Sequence, residues 1–240
     1  MKLQWRPVRA VLTKELREYR RTGSVIGAMA IFPLVFVLTP AIQAFVVPAS
    51  AASALRREDL LLYLLAIPTL VPSALAAYSV VGERQQGTLE PVLSTPVTRE
   101  ELVLGKALSA FIPSVVISYL VYGLFLAAVA LFAQPAVSDA LIRGTEVLAQ
   151  FVYTPLLAAW SIWVGIAIST RSNDVRTAQQ LSALASLPLI AVTSLIAYGV
   201  IHPSFRLALG CAIGLLVLIR VGYRVVSAAF DRERLITGSK

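Results

Sequence analysis

Long apolar runs alternate along the chain with short polar ones. No Lys, Arg, Asp or Glu occurs from Thr22 to Leu55, from Leu60 to Gly82 or from Ala107 to Phe132. Each run is at least as long as the ~20 residues an α-helix needs to cross a bilayer. Carried through the chain, the pattern predicts an all-α membrane protein, one domain over 1–240, with six transmembrane helices. They are expected at about 24–47, 60–81, 105–132, 146–170, 177–200 and 205–223. Pro33, Pro40, Pro68, Pro72 and Pro113 fall inside these spans. A span tolerates proline where neighbouring groups satisfy the freed carbonyls.

Residues 1–22 follow a different pattern. Trp5, Val8, Leu12, Leu16 and Tyr19 recur at spacings of three and four, which is one face of a helix. Arg6, Arg9, Lys14, Arg17, Arg20 and Arg21 occupy much of the remainder. A basic amphipathic helix with an aromatic at each end suits the plane of an anionic membrane surface. The same pattern also suits a helix packed on its own protein, and the two arrangements are compatible.

The longest polar interruption, Gly82 to Lys106, separates the second and third spans. Thr98 with Glu101 reads as a capping box, in which hydroxyl and carboxylate satisfy the first free N–H groups of a helix. Pro91 and Pro96 disfavour helix at the residues before them, Glu90 and Thr95. Gly87 permits a turn that a Cβ would resist. A short helix or turn across the membrane surface is expected, with Leu89, Val92 and Leu93 free to pack. On these physical grounds alone, an ordinary well-capped connecting loop explains the segment equally well.

Composition agrees with the pattern: 58% of residues are hydrophobic, 14% are charged and mean hydropathy is +0.78. Soluble domains carry roughly 25% charged residues. The formal charge of +8 invites a nucleic-acid reading, but its distribution argues against one. Of the 21 Lys and Arg residues, only Arg56, Arg57, Arg143 and Arg206 fall on the side opposite the termini. This asymmetry predicts cytoplasmic termini, a cytoplasmic 82–106 segment and a multi-pass protein of the cell membrane. The N-terminus shows no cleavable-signal pattern. Cys211, the single cysteine, excludes a disulfide framework.

Candidate chemistry is sparse. Gly105-Lys106 is the only Gly-Lys pair, and it lacks the earlier glycine and the following hydroxyl of a phosphate-binding loop. No carboxylate, Lys or Arg stands at mid-span, which argues against a proton relay. His202, the only histidine, stands beside Pro203 at a turn and reads as a surface residue rather than a ligand or base. No catalytic or metal-ligating residue is assigned. Gln43, Gln150, Gln179 and Gln180 can line a path or bond between helices. Tyr119, Tyr122, Tyr153, Trp160 and Trp163 can be interface anchors, core or substrate contacts.

Residues Glu83-Arg84-Gln85-Gln86-Gly87-Thr88-Leu89-Glu90-Pro91-Val92-Leu93-Ser94-Thr95-Pro96-Val97-Thr98 resemble the loop between the second and third spans of type-2 ABC exporter permeases. The family pattern there runs Glu-Arg/Lys-x-x-Gly-Thr-Leu-Glu-x-Leu-Leu-x-Thr-Pro-Val-Ser/Thr; this chain has Pro91-Val92 where many relatives have Pro-Leu. The turn from Ser169 to Gln180 is similar to a second family stretch, ending in Ala-Gln-Gln ahead of Pro188. The resemblance implies a permease subunit of an ATP-driven exporter, coupled to a separate ATPase. It places the coupling element at Glu83, Arg84, Gly87, Thr88, Leu89, Glu90, Pro91, Leu93, Thr95 and Pro96, with Thr98 and Glu101 as the helix cap. Glu83 and Glu90 are then expected to make polar contacts, with Arg84 partnering either them or the ATPase. It also implies an interfacial N-terminal helix, here Trp5, Arg9, Leu12, Leu16, Arg17 and Tyr19. Two ATPase copies, carrying the ATP and Mg, and a second permease chain, identical or different, complete the implied assembly. A non-transporting scaffold or regulatory partner of an ATPase, or a passive channel, are the alternatives. No motif identifies the substrate.

Overall fold

A computed structural model describes residues 4–46, 48, 55, 58–88 and 97–229. Within them the chain forms α1 (Trp5–Tyr19), α2 (Gly23–Phe45), α3 (Ile67–Gln85), α4 (Arg99–Phe132), α5 (Pro135–Leu141), α6 (Gly144–Arg171), α7 (Val175–Ala197) and α8 (Phe205–Ala229). A 3₁₀ segment, Leu60–Ala66, leads directly into α3. No strand occurs among the described residues. Six stretches are long and apolar enough to cross a membrane: Gly23–Phe45, Leu60–Gln85, Arg99–Phe132, Gly144–Arg171, Val175–Ala197 and Phe205–Ala228.

The second of these spans is the centre of the bundle. Its most apolar window is 94% buried, against 6% to 44% in the other five. Ser73, Ala74, Ala76, Ala77 and Ser79 give this part of α3 a thin profile, and small residues let transmembrane helices approach closely. Gly165 on α6 completes the closest contact, since a Cβ there would stand 2.7 Å from Ala76 Cβ and 2.8 Å from the Ser73 carbonyl oxygen. Ser169 on the same helix accepts from the Val80 and Val81 amides at 3.1 and 3.0 Å. The opposite end of this helix pair is tied by Glu146, which accepts from the Leu61 amide at 3.0 Å and pairs with Arg143 at 2.5 Å.

Helix α4 starts at Arg99, six residues before the expected span. The capping box is formed: Glu101 N donates to Thr98 Oγ1, and Thr98 N donates to Glu101 Oε2. The resulting 34-residue helix is about 51 Å long, well beyond a ~30 Å hydrocarbon core, so its first turns project out of the membrane. Helix α7 is capped by Asp174, whose carboxylate accepts from Thr177 N at 2.8 Å. Of the prolines, Pro68 stands in the first turn of α3, where its missing N–H costs nothing. His202 is exposed in the turn before α8.

The apolar face of α1 is taken up by protein. Val8 and Tyr19 are buried, and Val11, Leu12 and Leu16 are half-buried. Gly105 on α4 makes the approach possible, because a Cβ there would stand 2.7 Å from Val11 Cβ. Arg6, Arg9, Arg17 and Arg20 face outward, and Trp5 is 67% exposed. Of the two arrangements that the periodicity allows, the structure shows this face packed on protein.

Candidate coupling site at the basic end of the bundle

Three helices meet around Lys106, on the second turn of α4. Its ammonium is fully buried and faces Glu15 Oε1 at 2.8 Å, Glu83 Oε2 at 2.8 Å and the Ser79 carbonyl oxygen at 2.6 Å. It donates hydrogen bonds to Glu15 and to the Ser79 carbonyl, and Glu83 Oε2 is its ion-pair partner. Glu15 comes from α1 and Glu83 from the last turn of α3, so one side chain ties all three helices. Lys14 adds a second cation, paired with Glu83 and with Glu18 Oε2 at 3.1 Å. Tyr78 donates to Glu18 Oε1 at 3.0 Å, and Tyr19 shares a hydrogen bond with Ser109 at 3.3 Å.

Burial sets the electrostatics of the α1 members. It pushes the Glu15 carboxyl above the ordinary carboxylate range, opposed by Lys106 and Lys14 and reinforced by Glu83. For Lys14, burial favours the neutral amine but is outweighed by Glu15, Glu83 and Glu18, so its pKa is raised. Burial and the same carboxylates raise the Tyr19 hydroxyl. Carboxylate oxygens of Glu15, Glu18 and Glu83 lie within 4.8 Å of one another. With two ammonium groups among them, the set is an ion-pair network of three acids and two bases rather than an open cation site.

The sequence-derived site residues divide into three groups. Glu83 is buried at 1% exposure in the network, turned into the bundle. Arg84 reaches neither Glu83 nor outward: its guanidinium donates to the Ser172 and Thr170 carbonyls at 3.0 and 3.2 Å, holding the α6–α7 turn. Gly87 turns the chain at φ +69°, in the left-handed region that favours glycine, and Thr88 N donates to the Glu83 carbonyl at 2.9 Å. Leu89, Glu90, Pro91, Leu93, Thr95 and Pro96 lie outside the described residues. Glu101 does more than cap, since its Oε1 accepts from Gln4 N at 2.8 Å and anchors the start of α1 to α4.

Sequence reasoning missed Lys106, Glu15, Lys14, Tyr78 and Ser109. The available signals were a lysine at the head of an uncharged run and an acid inside a basic helix. Of the in-span glutamines, Gln150 donates to Thr154 one turn along its own helix at 3.2 Å, and Gln179 donates across helices to the Ala74 carbonyl at 3.5 Å. Gln180 is exposed.

The fold and this site define a polytopic helical membrane protein in which the two ends of the polar segment between the second and third spans, at Glu83 and at Glu101 and Lys106, are tied to the N-terminal helix. A family model described as ABC-2 family transporter protein matches residues 9–233, and the chain belongs to that family. It is a multi-pass transport permease subunit, and membership implies association with an ATPase subunit. A search of curated proteins finds no match.

Proposed function

We propose that the chain is the permease subunit of an ATP-driven exporter and that residues 83–96 receive the stroke of a separate ATPase. The observation that carries this reading is the Lys106 network. It joins the end of the second span, the start of the third and the N-terminal helix, at the base of the 89–96 segment. Force applied to that segment acts on two spans and α1 together, and through Arg84 on the turn between the fourth and fifth. In this reading the basic end faces the cytoplasm of a cell-membrane protein, by the positive-inside rule. ATP and Mg are held by two ATPase copies, and two permease chains, alike or different, form the pathway.

Co-expression with candidate P-loop ATPases, co-purification and ATP hydrolysis in liposomes test it. The expected result is a stable complex whose association or coupled hydrolysis is lost when residues 83–96 are replaced by a neutral linker. Purification of the chain alone, with no ATPase associating, overturns it and favours a scaffold or channel. Uptake into inside-out vesicles, driven by ATP, tests the direction of transport.

A further inference from the structure

At the end of the bundle away from Lys106, three buried polar side chains stand where the third and fourth spans meet. Tyr122 on α4 is 3% exposed, and Glu146 and Gln150, one turn apart on α6, are 3% and 1% exposed. We propose that these three hold a buried water molecule that joins the two spans. Three observations carry the assignment.

The first is register. Pro155 has no N–H, so the Phe151 carbonyl one turn before it lacks its helical donor. The Tyr119 hydroxyl, on the third span, donates to that carbonyl at 2.9 Å and sets the two helices against each other. Three residues further along α4, a rise of about 4.5 Å, Tyr122 falls level with the turn between Glu146 and Gln150, since consecutive spans run in opposite directions. Glu146 lies within electrostatic reach of the Tyr122 hydroxyl.

The second is unmet hydrogen-bonding capacity. Tyr122 Oη and Gln150 Oε1 have no partner among the described residues, and Glu146 Oε1 carries its ion pair with Arg143 but no hydrogen bond. Buried polar groups are nearly always bonded, and hydrocarbon offers them nothing to bond to.

The third is the chemistry of the set. It presents two acceptors and one hydroxyl, so a water can donate to Gln150 and Glu146 and accept from Tyr122, the three bonds a buried water typically makes. A metal cation is disfavoured, because the Arg143 guanidinium already stands 2.5 Å from the same carboxylate oxygen. Arg143 is 32% exposed, so the aqueous phase on that side is close at hand. A bridge of this kind lets the two spans shift against each other without stranding a buried group.

The test is X-ray hydroxyl-radical footprinting of the full chain in liposomes, in water labelled with heavy oxygen. Radiolysis of a bound water oxidises the side chain it touches. Tyr122 should therefore take up several-fold more label than Tyr19, which is equally buried but bonded to Ser109, and than Phe125 on the same face of α4. Gln150→Leu should bring Tyr122 down to the level of Tyr19. Label at Tyr122 no greater than at Tyr19 in the parent chain overturns the proposal without recourse to a variant. Undiminished label at Tyr122 in a Gln150→Leu protein that keeps the parent's Tm overturns the bridge as well.

Discussion

Lys106 and Glu15, 91 residues apart, pair at 2.8 Å with 0% and 1% of their side chains exposed. A charge pair so far from water survives only because Glu83, Lys14 and the Ser79 carbonyl complete its surroundings. Such a pair contributes more to which helices meet than to net stability, since desolvation offsets much of the attraction. Removing one partner is different, because it leaves the other buried and alone.

Lys106→Met should therefore destabilise the chain by about 3–5 kcal/mol, the usual cost of an uncompensated buried charge. Thermal unfolding of the detergent-solubilised protein measures it, and adding Glu15→Gln to the variant should restore part of the loss. An unchanged Tm in Lys106→Met would show that the network is not closed in the folded protein.

Glu15 also sets a pH dependence. Its carboxyl is raised by burial, against the pull of Lys106, so the folded chain binds that proton more tightly than the unfolded chain. Its contribution is then greatest at low pH and is lost as pH rises through the interval above the ordinary carboxylate value. Compared with Glu15→Gln, the parent should gain stability as pH falls from neutrality toward that value. Parallel Tm profiles for the two proteins would rule out the shift.

Arg84→Ala removes two charge-assisted hydrogen bonds to the carbonyls of Thr170 and Ser172. Bonds of this kind contribute about 1.5–3 kcal/mol when well formed, less here because the site is only partly buried. Spin-label distances between α3 and the 172–174 turn should broaden, with membrane insertion unaffected. If the distribution stays as narrow as in the parent, Arg84 does not hold the turn.

Gly165→Leu and Gly123→Leu form a matched pair. At Gly165 even a Cβ meets the Ser73 carbonyl, whereas at Gly123 nothing lies within 4 Å. Overpacking costs about 1–3 kcal/mol, and more where backbone blocks relaxation. The first variant should lower Tm by several degrees and the second should not. Equal effects would mean that the contact between the second and fourth spans is not close-packed.

Much of the architecture was legible in the chain, because a bilayer imposes a length and a solvent on every span. Six apolar runs gave six helices, and Thr98 with Glu101 marked the start of the third by a local rule that needs no tertiary contact. Local signals carried less information where two solutions were equally good. The periodic face of α1 fits lipid or protein alike, and only the approach of Val11 to Gly105 shows that protein occupies it. Glu83 and Arg84 read as loop residues available to a partner, yet α3 continues through Gln85 and turns one into the bundle and the other onto a distant turn. Ion pairing between residues 23 to 91 positions apart leaves no periodic trace in a sequence, so Lys106, Glu15 and Lys14 were found only once the helices were placed. The sequence by itself determined the number of spans, the Thr98–Glu101 cap and the distribution of charge. Tertiary structure decided which span lies at the centre, where small residues at the contacts, such as Gly165 against Ser73 and Ala76, let its neighbours approach closely.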